Sequence, residues 1–170
     1  MLLLGIGSNL SSSFGNRFEN IKIAIEYIQS NEIKLIKSSS FYETHSYPNV
    51  NDPKFINVII EVSTSLSPEK LASILIQIEE QLERKRFKKN EPRTCDIDII
   101  DYKGKTINFK YRNSTFIVPH EKLTYRNFVL YPLHEIAPNW CHPKTKEKIG
   151  SLIEKLPEED RKSILKIKKY

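Results

Sequence analysis

One stretch of the chain organises the rest: Glu91-Pro92-Arg93-Thr94-Cys95-Asp96-Ile97-Asp98-Ile99-Ile100. Its apolar residues predict a buried β-strand, which two carboxylates one residue apart interrupt. Successive side chains of a strand point to opposite faces, so Asp96 and Asp98 should share one face, with Cα atoms roughly 6.6 Å apart. Ile97 and Ile99 should then lie on the other face.

Two carboxylates aimed together suit Mg²⁺, which takes one or two protein carboxylates and completes its octahedron with water and phosphate oxygens. If two ions share the pair, the arrangement predicts a two-metal site for displacement at phosphorus. The competing interpretation is an ordinary half-buried strand with an acidic face toward solvent.

A run of cations lies just before the acids. Six positive side chains occur within ten positions, from Arg84 to Arg93. Guanidinium groups grip phosphate with paired hydrogen bonds, so arginines beside metal-binding carboxylates predict a surface for a metal-bound polyphosphate. Cations at the end of a helix also favour its macrodipole, which could account for Arg84 and Arg86 without any ligand. That explanation does not extend to Arg93.

Length and composition predict a single domain, residues 1–170, because 170 residues with 39% hydrophobic content fill one core but not two. The net charge of +6 and a pI near 9.2 favour an anionic partner, either a nucleotide or a nucleic acid. Two cysteines are too few for a disulfide framework, and no apolar run is long enough to suggest a membrane span. We therefore expect a cytoplasmic protein without a membrane partner.

The apolar periodicity predicts an α+β fold. In chain order the pattern gives a strand at 2–7, a helix at 17–29, strands at 33–42 and 55–64, a helix from Ser67 to the basic run, and the Asp-x-Asp strand. This order predicts a ferredoxin-like βαββαβ antiparallel sheet with both helices on one face, in a core of residues 1–102. Residues 103–170 are expected to form a C-terminal appendage, with a polar loop carrying Lys110 and Arg112 and short helical stretches near Leu152 and Ser163.

Six short motifs together carry a resemblance to a known family. They are Gly7-Ser8-Asn9-Leu10, Ser40-Phe41-Tyr42-Glu43-Thr44, Phe55-Ile56-Asn57, Pro92-Arg93-Thr94-Cys95-Asp96-Ile97-Asp98-Ile99, Val118-Pro119-His120 and Arg126-Asn127-Phe128-Val129-Leu130. In this order and spacing they resemble 6-hydroxymethyl-7,8-dihydropterin pyrophosphokinase of folate biosynthesis, from Leu2 to about Pro138. The resemblance implies transfer of pyrophosphate from ATP to the hydroxymethyl oxygen of a reduced pterin, with release of AMP.

The resemblance also implies roles for individual residues. Two Mg²⁺ ions are expected on Asp96 and Asp98, and Arg84 and Arg86 match mobile-loop arginines that close over the triphosphate. These four are the expected catalytic residues. The remaining expected ATP contacts are Glu79, Arg93, Ile99, His120 and Arg126.

A flat pterin needs aromatic faces and a partner that both donates and accepts hydrogen bonds. Phe55 and Phe128 match the stacking pair of the family, and Asn57 matches the amide that recognises the pterin edge. Groups near Thr44 and Tyr47 are expected to complete the site. In the same loop His45-Ser46 stands where relatives commonly have Pro-Pro, which predicts a less rigid loop.

Two other functions remain open at this point. A ferredoxin-like sheet with a basic surface is also typical of RNA-binding modules, but the chain lacks their Lys/Arg-Gly-Phe/Tyr-Gly/Ala-Phe pattern. A different Mg-dependent phosphoryl or nucleotidyl transferase is compatible with Asp-x-Asp, although no Gly-rich phosphate loop supports it. We expect a monomer that acts on ATP and a reduced pterin and does not bind nucleic acid.

Overall fold

The structure, a computed structural model, describes residues 1–85, 91–112 and 114–167. Its strands are β1 (Leu2–Ser8), β2 (Lys34–Ser38), β3 (Phe41–Thr44), β4 (Phe55–Ser63), β5 (Asp96–Tyr102), β6 (Ile107–Tyr111), β7 (Ser114–Val118) and β8 (Leu165–Ile167). Its helices are α1 (Arg17–Gln29), α2 (Pro68–Gln81), α3 (Asn127–Ile136), α4 (Ile149–Glu154) and α5 (Glu158–Lys162), with a 3₁₀ turn at Leu123–Tyr125.

An antiparallel sheet forms the centre of the molecule. Its strand order is β5-β1-β4-β3-β8, and β2 pairs with β4 beyond the end of β3. The chain thus has a mixed α/β fold in which β1, the first strand, lies inside the sheet between the acidic strand β5 and β4.

Local sequence signals account for the two long helices. The Asn16 side chain caps α1 in a capping box with Glu19, and Ser67 caps α2 immediately before Pro68. The predicted helix at 17–29 is confirmed residue for residue. Both helices bury their apolar stripes in one cluster with the side chains of β1 and β4 that point the same way, such as Leu4. The prediction that these helices share a face is confirmed.

The opposite face of the sheet is covered by the C-terminal half of the chain. Leu3, Ile59 and Ile100 form a second cluster there with α3 and α4, represented by Leu130 and Leu152. The C-terminal segment expected as an appendage after residue 102 thus packs against the sheet. An uncovered face with three such side chains would leave large apolar groups in water, and the C-terminal helices bury them.

Three other elements differ from the sequence-based expectation. The strand expected at 33–42 is broken at Ser39-Ser40, because two hydrogen bonds involve groups outside regular strand pairing. The Glu135 carboxylate accepts from Ser40 N at 3.1 Å, and the Ser39 hydroxyl accepts from Ile59 N at 3.0 Å. The polar loop expected near Lys110 is the β6–β7 hairpin, stabilised by stacked Phe109 and Phe116 rings 5.0 Å apart. Strand β8 was not expected and pairs with β3 at the edge of the sheet.

Within the ranges that the structure describes, no helix is both long enough and apolar enough to cross a membrane.

Candidate active site

Strand β1 lies between the acidic strand β5 and strand β4 in the sheet. Gly7 in β1 stands opposite Asn57 in β4 on one side and opposite Asp96 in β5 on the other. Gly5 stands opposite Asp98. Residues directly opposite each other on neighbouring strands project from the same face. An amide and two carboxylates therefore share one face, with only glycines between them.

Glycine at position 7 keeps this surface open. A Cβ atom on Gly7 would lie 3.1 Å from Oδ1 of Asn57, closer than an ordinary contact. Neighbouring strands are about 4.8 Å apart, so the Cα atoms of Asn57 and Asp96 are separated by roughly 10 Å. We call the surface formed by Gly7, Asn57, Asp96 and Asp98 the candidate site.

Two arginines hold Asp96. Arg84 Nη1 lies 2.6 Å from Asp96 Oδ1, and Arg93 Nε donates to Asp96 Oδ2 at 2.8 Å. Burial opposes ionisation of this carboxyl, but the charges of Arg93 and Arg84 outweigh it and hold the pKa of Asp96 below its ordinary value. Asp96 is therefore a carboxylate at neutral pH.

Asp98 is less well compensated. Its side chain is 50% exposed, and Arg126 Nη1 lies 3.9 Å from Oδ2. Desolvation and repulsion from the Asp96 carboxylate raise the pKa of Asp98 to about 6, against the opposing charge of Arg126. Solvent reaches half of the Asp98 side chain and so reduces the effect of desolvation on its pKa. The cause of the raised pKa that is specific to this site is the neighbouring Asp96 charge. The two acids together attract a cation.

The donor set fits a magnesium ion. Both candidate ligands are hard carboxylate oxygens on one strand face, and their mutual repulsion is what a divalent cation would relieve. Among the described residues no cluster of three or more His, Cys, Asp or Glu could hold a metal by itself. A metal at Asp96 and Asp98 would therefore take further ligands from water or from a bound phosphate.

Glu79 lies beneath these groups. It is 2% exposed, accepts a hydrogen bond from Ile97 N at 2.7 Å and pairs closely with the Arg84 guanidinium. One buried carboxylate thus fixes both Arg84 and the strand between the two aspartates. Ile99 is 5% exposed and faces the α1 and α2 side. The ATP contacts expected at Glu79 and Ile99 stay predictions, and neither side chain faces solvent in this conformation.

His120 and Arg126 bring two hydrogen-bond donors together. His120 Nδ1 accepts from Lys122 N at 2.9 Å, which assigns the proton of a neutral ring to Nε2. Burial and the Arg126 charge lower the pKa of His120, so the ring is neutral at pH 7. Nε2 then lies 3.4 Å from Nη2 of Arg126, and both atoms are donors. Two donors facing the same space are suited to an anionic oxygen.

The residues expected to hold a pterin lie at the ends of β3 and β4. Thr44 stands opposite Phe55, and Asn57 Nδ2 donates to Thr44 Oγ1 at 3.1 Å. Both polar side chains are buried. The Arg93 guanidinium lies over the Phe55 ring at 4.9 Å from its centre, so this group touches the acidic strand as well.

Three further expected residues lie at the margins. Tyr47 is 82% exposed in the loop between β3 and β4. Phe128 is in the first turn of α3, and the Arg126 guanidinium lies 5.6 Å from its ring centre. Arg86, an expected catalytic residue, lies outside the described residues.

Sequence reasoning gave no site role to Asn9, which the structure buries at the junction of two loops. Its amide oxygen accepts from Arg93 N at 2.6 Å, and its amide nitrogen donates to Ser46 Oγ at 3.2 Å and Pro53 O at 3.0 Å. The available signal was the Gly7-Ser8-Asn9-Leu10 motif, which carries part of the family resemblance without indicating a role for Asn9.

Two shallow depressions of about 240 and 280 Å³ lie elsewhere, both lined by Met1 at the other end of β1. Neither lining contains paired carboxylates or an arginine. The sheet end with Asp96 and Asp98 therefore remains the candidate site.

Comparison with known proteins identifies the family. The model of the 7,8-dihydro-6-hydroxymethylpterin-pyrophosphokinase (HPPK) family matches residues 3–138. The chain belongs to this family. It is similar to the 2-amino-4-hydroxy-6-hydroxymethyldihydropteridine pyrophosphokinases of Aquifex aeolicus, at 37% identity over 82% of each chain, and of Synechocystis, at 34% identity over 91% of this chain and 75% of that protein.

Longer HPPK-containing proteins also match. The chain is 38% identical to the folic acid synthesis protein fol1 of Pneumocystis carinii over 92% of its own length but only 21% of that protein. Among solved structures, an HPPK-DHPS protein of Plasmodium falciparum has the same fold, with a TM-score of 0.75 at 15% identity, over 98% of this chain and 46% of that one. The chain thus spans about a fifth and about half of these longer relatives.

Proposed function

We propose that the chain transfers the pyrophosphoryl group of ATP to the hydroxymethyl oxygen of 6-hydroxymethyl-7,8-dihydropterin, a step of tetrahydrofolate biosynthesis. In this reaction the hydroxymethyl oxygen forms a bond to the β-phosphorus, the bond between that phosphorus and the α-phosphate oxygen breaks, and AMP leaves. Family membership supports the reaction class. The observation that carries the proposal is the placement of Asn57 and the acidic pair on one face, on either side of Gly7.

Asp96 and Asp98 are proposed to hold two Mg²⁺ ions together with the phosphates of ATP. When bound, magnesium would lower the proton affinity of the attacking hydroxyl and neutralise charge on the phosphoryl oxygens. The support is the carboxylate pair itself, in which the pKa of Asp98 is raised to about 6 by desolvation and by its acidic neighbour. The number of ions rests on the resemblance to the family.

The cationic side chains are proposed to bind and orient the triphosphate. Arg93, His120 and Arg126 supply donors around the acidic strand, and the proximity of two donors at His120 and Arg126 supports an anion between them. Arg84 and Arg86 are proposed to stabilise charge as the phosphoryl group moves. Glu79 and Ile99 are also proposed to contact ATP. Ile99 would do so through its backbone, and Glu79 through its side chain after Arg84 moves away.

The pterin is proposed to lie between the rings of Phe55 and Phe128, with its polar edge on Asn57. The Asn57 amide is 7% exposed and fixed by Thr44, so it can present its groups in one orientation. Polar groups near Thr44 and Tyr47 would complete the contacts. Because Asn57 and Asp96 flank Gly7, a pterin on the amide would point its substituent toward the acids.

We also propose a single domain with a ferredoxin-like βαββαβ core. The strand order β5-β1-β4-β3 and the position of α1 and α2 on one face support this classification. The two apolar clusters lie on opposite faces of one sheet, which supports a single unit. A cytoplasmic monomer is the proposed state, and the two unpaired cysteines are consistent with a reducing compartment.

The proposal is tested by mixing the purified protein with MgATP and 6-hydroxymethyl-7,8-dihydropterin and resolving the nucleotides by chromatography. We expect one AMP for each pterin consumed and no AMP when the pterin is omitted. Formation of ADP would show transfer of a single phosphoryl group and would contradict the proposal. Omitting Mg²⁺ in the presence of a chelator should stop the reaction.

A further inference from the structure

The loop between β3 and β4, residues 45–54, is closed by one serine hydroxyl. Ser46 is 5% exposed, and its Oγ donates to Pro53 O at 2.6 Å across the base of the loop. The same oxygen accepts from Asn9 Nδ2 at 3.2 Å. A loop that was expected to be loosened by the loss of a proline pair is thus closed by hydrogen bonds.

Asn9 joins this loop to the acidic strand. Its amide is saturated on the donor side, since Nδ2 bonds both Ser46 Oγ and Pro53 O. Its Oδ1 accepts a hydrogen bond from Arg93 N at 2.6 Å. The backbone N–H groups of Asn9 and Leu10 donate to Arg93 O at 3.0 and 3.1 Å. The backbone of Arg93 is therefore held on both sides by the turn that follows β1.

The two ends of this hydrogen-bonded path lie at different parts of the candidate site. Thr44 and Phe55 flank the loop that Ser46 closes. The Arg93 side chain pairs with Asp96 and covers the Phe55 ring. Asn9 is 2% exposed, so its bonds are shielded from water, and a partner left unpaired there would cost more than one at the surface.

We propose that Ser46 and Asn9 are positioning residues that act in series: Ser46 holds the pterin loop in its binding conformation, and Asn9 connects that loop to Arg93. The inference rests on the proposed function, because it assigns the loop to the pterin and Arg93 to the nucleotide. It makes an asymmetric prediction. Loss of the Ser46 hydroxyl disturbs only the pterin side, whereas loss of the Asn9 amide disturbs both sides.

The test measures dissociation constants by calorimetry for the reduced pterin and for a non-hydrolysable ATP analogue with Mg²⁺. Ser46→Ala removes both hydrogen bonds of the Ser46 hydroxyl. We expect pterin binding to weaken about tenfold or more and nucleotide binding to stay within about twofold of wild type. Ser46→Thr keeps the hydroxyl and should restore pterin affinity. Ser30→Ala, which removes an exposed hydroxyl at the end of α1, is the matched control and should change neither constant.

Two variants of Asn9 separate its two functions. Asn9→Asp keeps an acceptor for Arg93 N but loses both donors to the loop and places a carboxylate oxygen against Pro53 O. It should therefore weaken pterin binding at least as much as Ser46→Ala does. Asn9→Ala should weaken both ligands. In the double variant Ser46→Ala/Asn9→Asp the losses of pterin affinity should add only in part, because both changes remove the bond from Asn9 Nδ2 to Ser46 Oγ while each also removes its own bond to Pro53 O.

Several outcomes would overturn the inference. Unchanged pterin affinity in Ser46→Ala would exclude a positioning role for its hydroxyl. Equal loss of both ligands in Ser46→Ala, with a lower melting temperature and no rescue by threonine, would indicate a purely structural residue. If the wild-type protein bound neither ligand, the proposed function would fail and this inference with it, whereas normal wild-type binding combined with silent variants would overturn the inference alone.

Discussion

Two carboxylates in this molecule, Asp98 and Glu135, lie in opposite environments. Asp98 lies beside another carboxylate, is half exposed and has its pKa raised to about 6 by desolvation and by Asp96. Glu135, on α3, accepts hydrogen bonds from the amide and hydroxyl of Ser40 and the hydroxyl of Tyr42, and pairs with Lys166 at 3.4 Å. Burial opposes its ionisation, but these partners hold the pKa of Glu135 below its ordinary value.

The difference separates the site that we propose to bind magnesium from a carboxylate that holds the fold together. Glu135 has its donors supplied by the protein, so it joins α3 to β3 and β8 and needs no ligand. Asp98 is left beside a like charge, an arrangement that costs stability until a cation arrives. Substitutions at the two places should therefore have different effects, on activity around Asp98 and on stability around Glu135, and we take them from the largest expected effect to the smallest.

Replacing Asp98 by asparagine should cause the largest loss. Asp98→Asn keeps the size of the side chain but removes the charge that would hold magnesium. We expect the rate of AMP formation to fall on the order of 10³-fold or more, since metal ions supply several kcal/mol of charge stabilisation. The matched control is Glu135→Gln, which should retain activity within about twofold. If Asp98→Asn formed AMP within about tenfold of the wild-type rate, the proposed role of the Asp98 charge in binding magnesium would be incorrect.

Loss of the Arg84 side chain should combine both kinds of effect. Arg84 pairs with Asp96, which belongs to the candidate site, and with Glu79, which is buried. In Arg84→Ala we expect turnover to fall about 10²-fold, more than nucleotide affinity falls, because the arginine acts on developing charge. The melting temperature should also fall, since Glu79 is left buried without this partner.

A second substitution separates the two contributions of Arg84. Adding Glu79→Gln removes the buried charge that Arg84 had paired with, so it should restore part of the melting temperature without restoring turnover. Arg161→Ala on α5 is the control for loss of an exposed arginine. If Arg84→Ala changed only nucleotide affinity, its proposed action on the transferring group would be incorrect.

The pterin side should respond separately from the acidic side. In Asn57→Ala we expect the dissociation constant for the pterin to rise roughly 5- to 150-fold, as for a ligand group left without its buried partner. Nucleotide binding should stay within about twofold. Asn31→Ala, at the end of α1, is the matched control. Equal losses for both ligands would mean that the site is not divided in this way.

The smallest effect is on the pH dependence of folding. Because the pKa of folded Glu135 is lowered, its contribution to stability is present above the unfolded pKa, about 4.3, and is lost as the pH falls through the folded value. At pH 7, Glu135→Gln should lower the free energy of unfolding by about 1–2 kcal/mol. Urea titrations should show this difference shrinking below about pH 4. A difference independent of pH would mean that the charge of Glu135 is not involved.

The sequence predicted those parts of the fold that depend on local patterns. Apolar spacing predicted α1 correctly, and the alternation around Asp96 and Asp98 predicted β5. The break at Ser39-Ser40 could not be predicted, because it depends on Glu135, which is 95 residues away from Ser40 in the chain. The packing of α3 and α4 on the second face of the sheet could not be predicted for a similar reason. No local pattern indicates which residues pack on Leu3 and Ile100.

The same division applies to the candidate site. The acidic pair and the neighbouring arginines were visible because their chemistry is concentrated in one stretch. The role of Asn9 was not, because an asparagine after a strand is equally typical of a turn. Only the tertiary structure shows that its three side-chain bonds reach two other loops.

The most direct test of the central claim is a crystal structure with Mg²⁺ and a non-hydrolysable ATP analogue. We predict divalent cations coordinated by Asp96 and Asp98 and by phosphate oxygens, with Arg84 displaced from Asp96. Phosphates bound elsewhere, with no ion at these carboxylates and the pairs of Asp96 with Arg84 and Arg93 intact, would contradict the account.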